Sequence, residues 1–432
     1  MHLSLLGGWL PACIDVLAWA SLLADIAWRR RPAWHWTVIA AASGVGAVAL
    51  AGVIDVPSRF GNSYPRSFVV WGALPLFAAG AVAWQWRWVA WWRRAVALAS
   101  IPALVAFAAM QINAHYGYLP TVGDLFGTPL AGQVDAARLL SRLPPHIGGH
   151  RVREVAGSMP VPTGGVVAQV DLPALVSGFQ HRNAWLWVPP VYFLVPRPRL
   201  PVLMLIAGTP GSPSDWLRGG GALALANSWA ATHHGFAPVM VLPDANGYAT
   251  GDTECVNGPR GQAETYLSVD VPRYMIEHFD VAASPHQWAI AGLSEGGTCA
   301  LELVTRHPER FSTFADFSGD AAPTVGTDAR TIHVLYRGST SAWRAHDPAT
   351  WFAKDASDGV QGVFAVGNGD HRYLQIALSL ADVARADGLQ VAVDVLPGGG
   401  HNFYTWKRAL RDAYPWLISR VDTTNLVVQP HA

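Results

Sequence analysis

Charged side chains are scarce in this sequence, and lysine is almost absent from it. Only 14% of the 432 residues are Asp, Glu, Lys or Arg, whereas 51% are hydrophobic, and the formal net charge is zero. The two lysines are Lys354 and Lys407. Nucleic-acid-binding domains carry a basic patch or stripe, and the chain has no basic block outside its N-terminal apolar region, so we expect no nucleic-acid partner. The combination of few charged and many hydrophobic residues indicates a membrane segment joined to a globular domain.

Cysteine is also rare, with only Cys13, Cys255 and Cys299. Their spacing matches no metal-binding pattern, so we predict no metal site from them. Cys255 and Cys299 would form a disulfide if this part of the chain lies in an oxidising compartment. Two buried free thiols fit the sequence equally well, because cysteine is among the residue types most often buried.

Four long apolar segments occupy the first part of the chain, at 3–28, 32–54, 67–86 and 95–123. The first contains Asp15 and Asp25, and the other three contain no Asp, Glu, Lys or Arg. About 20 residues of helix cross a hydrocarbon core of about 30 Å, so the sequence predicts four transmembrane helices. Carboxylates inside a membrane are often functional, but both aspartates also fit a structural role.

Arginines are unevenly distributed among the loops that join these segments. The first loop has Arg29, Arg30 and Arg31, the third has Arg87, Arg93 and Arg94, and the middle loop has only Arg59 and Arg66. Basic residues favour the cytoplasmic side of a membrane. We therefore expect a multi-pass protein of the cell membrane, with everything after the fourth span outside the cytoplasm.

The remainder of the chain has the pattern of an α/β domain. Short apolar runs alternate with longer helix-like stretches, which is typical of a mostly parallel sheet covered by helices. We predict a four-helix transmembrane anchor at residues 1–115, a linker at 116–150 and the α/β domain at 151–432.

A Gly-x-Ser-x-Gly motif at 292–296 is the most informative short pattern. It lies between a strand-like run and a helix-like run, which is the setting of a nucleophile elbow. Small residues two positions before and after the serine allow the tight turn. Ser294 is therefore the candidate nucleophile.

A serine hydroxyl needs an imidazole to accept its proton and a carboxylate to orient that imidazole. His401 follows three glycines directly after the last strand-like run, where a tight loop would bring its ring over Ser294. Asp370 follows the preceding strand-like run, at the edge of the sheet where functional groups gather. Asp320, one strand earlier, is the rival acid.

Two backbone N–H groups would stabilise the oxyanion that forms when the serine attacks. The Glu295 N–H lies at the start of the helix after the elbow, where free N–H groups face outward. The second donor is expected in the loop 208–212. Pro210 has no N–H, so Thr209 is the predicted donor, with a purely structural turn as the alternative.

Several motifs together resemble the esterase family of α/β-hydrolases that includes esterase D and the actinobacterial mycolyltransferases. The resemblance covers roughly residues 180 to 420. It rests on the runs at 201–208, Leu242-Pro243-Asp244, Glu264-Thr265-Tyr266-Leu267, 292–297 and Gly400-His401. It implies an α/β-hydrolase fold and a serine acyl-enzyme mechanism without a cofactor. The four-span anchor is an addition to the secreted mycolyltransferases.

Three functions fit these observations. The first is a membrane-anchored esterase that hydrolyses small-molecule or lipid esters of the cell envelope. The second is an acyltransferase with the same acyl-enzyme and a sugar or glycerol hydroxyl as acceptor. The third is a catalytically silent hydrolase fold that serves as a scaffold. The sequence leaves open the acyl chain, the head group, the acceptor and the oligomeric state.

Overall fold

The computed structural model describes residues 3–27, 33–54, 65–86, 90–142, 161–194, 197–352 and 359–421. The chain divides into two compact units between Thr128 and Pro129. The first unit is helical, and the second is built on a large β-sheet.

Long apolar helices dominate the first unit. They are α1 (Trp9–Ala27), α2 (Ala33–Ile54), α3 (Arg66–Gln85) and α4 (Trp91–Tyr116), followed by the short α5 (Val122–Leu125). Each of the first four is long and apolar enough to cross a membrane. Gly117, in the left-handed conformation with φ of 64°, ends α4 as a C-cap.

The two aspartates of α1 are both bonded to side chains of α4. Asp25 accepts a hydrogen bond of 2.8 Å from the Ser100 hydroxyl, and both residues are buried. Asp15 accepts one of 3.1 Å from the Gln111 amide. Polar side chains on apolar helices find such partners because an unpaired polar group in hydrocarbon is costly. These bonds favour a structural role, in which the aspartates hold α1 against α4.

Within the described residues, nine strands of the second unit form one sheet, in the order β1-β2-β3-β5-β4-β8-β9-β10-β11. The strands are β1 (Gln133–Val134), β2 (Val166–Val170), β3 (Ala184–Val188), β4 (Val202–Ile206), β5 (Val239–Leu242), β8 (Trp288–Leu293), β9 (Thr313–Phe317), β10 (Gln361–Gly367) and β11 (Gln390–Leu396). A separate hairpin pairs β6 (Asn257–Gly258) with β7 (Gly261–Gln262). Only β3 runs antiparallel to its neighbours. The predicted mostly parallel sheet is therefore confirmed.

Helices connect these strands. They are α6 (Ala136–Arg142), α7 (Ala222–Thr232), α8 (Ala263–Thr265), α9 (Val271–Phe279), α10 (Glu295–Arg306), α11 (Asp328–Tyr336), α12 (Thr340–Arg344), α13 (Pro348–Phe352), α14 (His371–Ala386) and α15 (Phe403–Arg420). Central strands such as β4 and β8 are buried along their whole length. Burial on both faces explains why their sequences are continuous apolar runs rather than alternating ones.

Two segments differ from the sequence-based assignment. The short apolar run at 192–195 has the composition of a strand, and that prediction is wrong at its described residues, because Pro190–Phe193 form a 3₁₀ turn. Proline at the start of that turn cannot donate to a sheet. Part of the predicted linker is also ordered, since β1 pairs with β2 and α6 follows it.

Cys255 and Cys299 form a disulfide with an S–S distance of 2.07 Å. It joins the loop after β5 to the helix α10 that follows the elbow. Both residues are fully buried. The structure thus selects the disulfide from the two possibilities that the sequence left open.

Removing this disulfide is expected to destabilise the second unit. Replacing both Cys255 and Cys299 with alanine should lower the free energy of unfolding by about 2–5 kcal/mol, because the unfolded chain loses a crosslink across 44 residues. Thermal unfolding of the purified chain, with and without reductant, measures the change. Cys13→Ala, which removes the free exposed thiol, is the control. An unchanged Tm in the double variant would contradict the expectation.

Candidate active site

Ser294 occupies a sharp turn between β8 and α10. Its φ of 54° and ψ of −124° lie in a region that non-glycine residues rarely adopt. The whole of β8 and the helix from Glu295 to Thr305 are buried, whereas Ser294 is partly exposed. Backbone strain of this kind is concentrated at functional sites. The turn presents the Ser294 hydroxyl at the carboxyl end of the sheet.

Glycines on each side make this turn possible. A Cβ atom on Gly292 would lie 1.8 Å from the Gly296 carbonyl oxygen, and one on Gly296 would lie 2.3 Å from the Ile206 carbonyl oxygen. Neither position can accept a side chain without moving the backbone. The Gly-x-Ser-x-Gly spacing is thus a steric requirement of the strand–turn–helix geometry.

His401 lies within hydrogen-bond distance of the two other residues predicted as a triad, Ser294 and Asp370. His401 Nε2 is 2.9 Å from Ser294 Oγ, and His401 Nδ1 is 2.8 Å from Asp370 Oδ2. With its proton on Nδ1, the imidazole donates to Asp370 and accepts from Ser294. This is the arrangement in which a histidine can act as general base towards a serine.

Contacts between two loops set the distance from Asp370 to His401. The Gly369 N–H donates to the Gly399 carbonyl at 2.9 Å, and the Gly398 N–H donates to the Asn368 side chain at 2.8 Å. A Cβ on Gly367 would lie 2.2 Å from the Gly399 carbonyl carbon. Glycine at these positions lets the loops after β10 and β11 approach closely.

Aromatic rings hold the His401 imidazole from two sides. Tyr373 stacks on it with ring centroids 4.3 Å apart, and Trp406 meets it edge-on at 4.9 Å. The packing restricts the rotation of the imidazole about its side-chain bonds. Sequence reasoning missed both residues, because neither belongs to a recognisable motif.

The rival acid, Asp320, has different partners. Its carboxylate lies 2.7 Å from Arg372, and its backbone N–H donates to Thr298. Burial raises the pKa of Asp320, while Arg372, His401 and a hydrogen bond from Tyr373 oppose that increase. Asp320 therefore supports Tyr373 and Arg372 beside the histidine, whereas Asp370 contacts the imidazole itself.

The loop predicted to supply the second oxyanion donor lies against the elbow. A Cβ on Gly208 would be 3.1 Å from Ser294 Cβ. The next residue, Thr209, donates its hydroxyl to the Gly251 carbonyl. Arg182 donates to the Gly211 carbonyl and pairs through two nitrogens with Asp244. The Asp244 of the Leu-Pro-Asp motif thus fixes this loop through Arg182.

Glu295 has a buried side chain in addition to the backbone N–H for which it was singled out. Its two carboxylate oxygens accept hydrogen bonds from the Asn246 amide at 2.7 Å and from the Glu254 N–H at 3.2 Å. With Asp252 and Glu254 it forms a close group of three buried carboxylates, the one arrangement in the described residues that could hold a metal ion. No sequence motif pointed to this group.

Asp316 on β9 lies under the first turn of α10. Its Oδ1 accepts a hydrogen bond of 2.7 Å from the Gly319 N–H, and a Cβ on Gly297 would lie 2.3 Å from the same oxygen. Burial raises the pKa of Asp316 to about 7, although the Gly319 N–H opposes the shift. The side chain is therefore protonated in mildly acidic solution.

Stability should depend on pH through this group. The folded protein holds the Asp316 proton up to about pH 7, whereas the unfolded chain releases it near the ordinary value of 3.8. The contribution to the free energy of unfolding is therefore complete below about pH 4 and is lost as pH rises through about 7.

Asp316→Asn should remove this dependence, because the amide cannot ionise. Relative to wild type, the variant should gain stability between pH 4 and pH 8, by about 1.4 kcal/mol for each unit of pKa shift. Thermal unfolding of both proteins across this range measures the difference. Parallel Tm profiles would contradict the expectation.

The family model described as "Putative esterase" matches residues 180–417, which is more than half of the chain. The chain belongs to this family. The predicted resemblance is thereby confirmed. An uncharacterized protein of Corynebacterium glutamicum is 34% identical over 331 residues, covering 75% of this chain and 76% of that protein.

Two further similarities are narrower. The diacylglycerol acyltransferase/mycolyltransferase Ag85B of Mycolicibacterium smegmatis is 28% identical over 136 residues, which cover 28% of this chain and 40% of that enzyme. An S-formylglutathione hydrolase from Agrobacterium tumefaciens superposes with a TM-score of 0.51 at 18% identity, covering 61% of this chain and 99% of that one. This second likeness establishes the α/β-hydrolase fold of the family member.

Proposed function

We propose that the protein is a membrane-anchored serine esterase that hydrolyses carboxylic esters through an acyl-enzyme. The observation that carries the proposal is the chain of contacts from Asp370 through His401 to Ser294 at the elbow. Membership of the esterase family supports ester hydrolysis as the reaction class.

In the first half of the reaction, Ser294 Oγ attacks the carbonyl carbon of the ester, and His401 Nε2 accepts the hydroxyl proton. Asp370 orients the imidazole and stabilises its positive charge. The Glu295 and Thr209 N–H groups stabilise the oxyanion. The carbon–oxygen bond to the alcohol then breaks, and His401 returns its proton to the leaving alcohol.

In the second half, a water molecule attacks the acyl-enzyme, and His401 accepts a proton from it. Collapse of the second tetrahedral intermediate releases the carboxylic acid and regenerates the Ser294 hydroxyl. Every group used belongs to the chain itself, and the proposed mechanism needs no cofactor.

The proposed location is the cell membrane, with the hydrolase unit outside the cytoplasm. Four apolar helices and the distribution of arginines around them support this orientation. The disulfide Cys255–Cys299 supports it independently, since disulfides persist in oxidising compartments. A C-terminal alkaline phosphatase fusion that is inactive in intact cells would contradict the orientation.

Location also motivates the proposed substrate class, which is an acylated lipid or another acylated component of the envelope. The alternative activity is acyl transfer to a sugar or glycerol hydroxyl. It is favoured by the similarity to Ag85B, whose name describes acyl and mycolyl transfer. Both activities share the acyl-enzyme and differ only in the acceptor.

Product analysis separates these possibilities. The detergent-solubilised chain should be incubated with envelope lipid extract and with short-chain p-nitrophenyl esters, each with and without trehalose or glycerol. Free carboxylic acid as the product with either acceptor present supports the esterase. An acylated sugar or glycerol as the product supports the acyltransferase instead. Turnover of soluble esters alone removes the envelope-lipid substrate, and no turnover of any ester by folded protein favours the scaffold.

A further inference from the structure

Three acidic side chains meet immediately behind the elbow. Asp252 and Glu254 come from the loop after β5, and Glu295 is the first residue of α10. Each residue contributes one carboxylate oxygen, and these three oxygens all lie within 4.8 Å of one another. Their exposed fractions are only 9%, 5% and 6%, respectively. We refer to these three residues as the acid cluster.

Two oxygens of the acid cluster have no hydrogen-bond partner among the described residues. Arg260 lies 3.2 Å from Asp252 Oδ2, which leaves Asp252 Oδ1 unpartnered, and Glu254 Oε2 is unpartnered as well. Both atoms are buried, and a carboxylate can only accept hydrogen bonds. Three buried carboxylates this close together need positive charge, from protons or from a cation, to offset their repulsion.

Nearby arginines offset only part of this repulsion. Arg260 pairs with Asp252 and also acts on Glu295, and Arg330 acts on Asp252 from farther away. Neither Glu254 nor Glu295 forms an ion pair in the part of the chain that the structure describes, and Asp320 adds negative charge near Glu254. The acid cluster is therefore neutralised either by shared protons or by a bound cation.

We propose that Asp252, Glu254 and Glu295 bind a divalent cation of the hard, oxygen-preferring class, with Ca²⁺ as the ion that fits best. Calcium–oxygen distances are about 2.3–2.6 Å, so ligands on one ion lie at most about 5 Å apart. The oxygens of the acid cluster satisfy this limit. Mg²⁺ fits less well, because it demands shorter, near-octahedral geometry and usually keeps several waters.

The site would stabilise the loop after β5 and the first turn of α10 against each other. The disulfide already links the neighbouring residue, Cys255, to α10 at Cys299. Because the Glu295 N–H is the proposed oxyanion donor, an ion held by its carboxylate would also fix that N–H. This effect on turnover depends on the proposed function, whereas cation binding itself does not.

The test uses the full chain in detergent, stripped with EDTA and then freed of chelator. Calorimetric titration with CaCl₂ should reveal one ion per chain, and Ca²⁺ should raise the Tm saturably. Glu254→Gln should weaken Ca²⁺ binding at least about tenfold, as loss of metal-site partners typically does. Glu277→Gln, at an exposed acid paired with Arg273, is the matched control and should bind like wild type.

Shared protons predict the opposite results. Neither Ca²⁺ nor Mg²⁺ would then produce heat or a Tm shift, and Glu254→Gln would be as stable as wild type, since its amide can donate where a protonated carboxyl would. That pair of results overturns the proposal. If Glu254→Gln does not fold, the metal content of wild type purified without chelator, measured by mass spectrometry, decides. Less than about 0.1 calcium per chain, above the dialysate background, after dialysis against about 5 mM CaCl₂ counts against it, because sites of extracellular modules fill at about 0.1–1 mM.

The binding measurements are independent of the esterase proposal. Calcium binding without ester turnover would leave the cation site standing and remove the esterase. Ester turnover that is unaffected by EDTA, in protein that binds no calcium, would remove the cation site and leave the esterase proposal standing.

Discussion

Replacing Ser294 with alanine is expected to lower kcat for ester hydrolysis by about ten thousand- to a million-fold, as loss of the nucleophile does in serine hydrolases. The substitution removes only the hydroxyl group, whose oxygen lies 2.9 Å from His401 Nε2. The remaining activity would come from binding and from the oxyanion donors alone. Steady-state hydrolysis of p-nitrophenyl esters measures the loss.

Labelling with a fluorophosphonate probe provides a second readout, because the probe reacts only with an activated serine. Wild type should be labelled and Ser294→Ala should not. Ser419→Ala, at a serine whose hydroxyl bonds to the Trp416 carbonyl within α15, is the control and should be labelled like wild type. Labelling of Ser294→Ala at the wild-type level would show that another residue is the nucleophile.

Asp370→Asn should produce the second-largest loss, about ten thousand-fold in kcat, as the corresponding change does in serine proteases. The asparagine amide would favour the wrong tautomer of His401, with the proton on Nε2, so the imidazole could not accept from Ser294. Because the side chain keeps its size, Tm should change little. The pH–rate profile and thermal unfolding of the variant measure both effects.

Asp320→Asn is the matched control for this prediction. It is also a partly buried acid near His401, but its carboxylate bonds to Arg372 rather than to the imidazole. We therefore expect a much smaller loss of kcat than in Asp370→Asn. A larger loss in Asp320→Asn would reverse the assignment of the acid.

Features that depend on residues close together in the sequence could be predicted without the structure. Helices apolar enough to cross a membrane are marked by length and hydropathy, and the helices Trp34–Gly52 and Arg66–Trp84 lie where the apolar runs predicted them. The elbow is similar in part, because a Cβ on Gly292 would meet the Gly296 carbonyl four residues later, although Gly296 itself is required by the distant Ile206 carbonyl. The alternation of strands and helices gave the α/β class for the same reason.

Weak local signals explain the elements that were missed. The strand Gln133–Val134 has two residues and exists only because β2 lies beside it. The turn at Pro190–Phe193 contains the apolar residues of a strand, but the proline at its start cannot donate a hydrogen bond to a sheet. The conformation of the first segment is thus determined by its partner strand, and that of the second by a proline that outweighs the apolar pattern.

The sequence by itself determined the candidate nucleophile, the histidine and the four apolar spans, because each is marked by a local pattern. Only the tertiary structure decided which acid faces His401, whether the two cysteines are joined, and that three carboxylates meet behind Ser294. The partners of His401 are 31 and 107 residues away along the chain. Such contacts depend on how strands are ordered in the sheet and how closely their loops pack, and a local pattern contains no record of either.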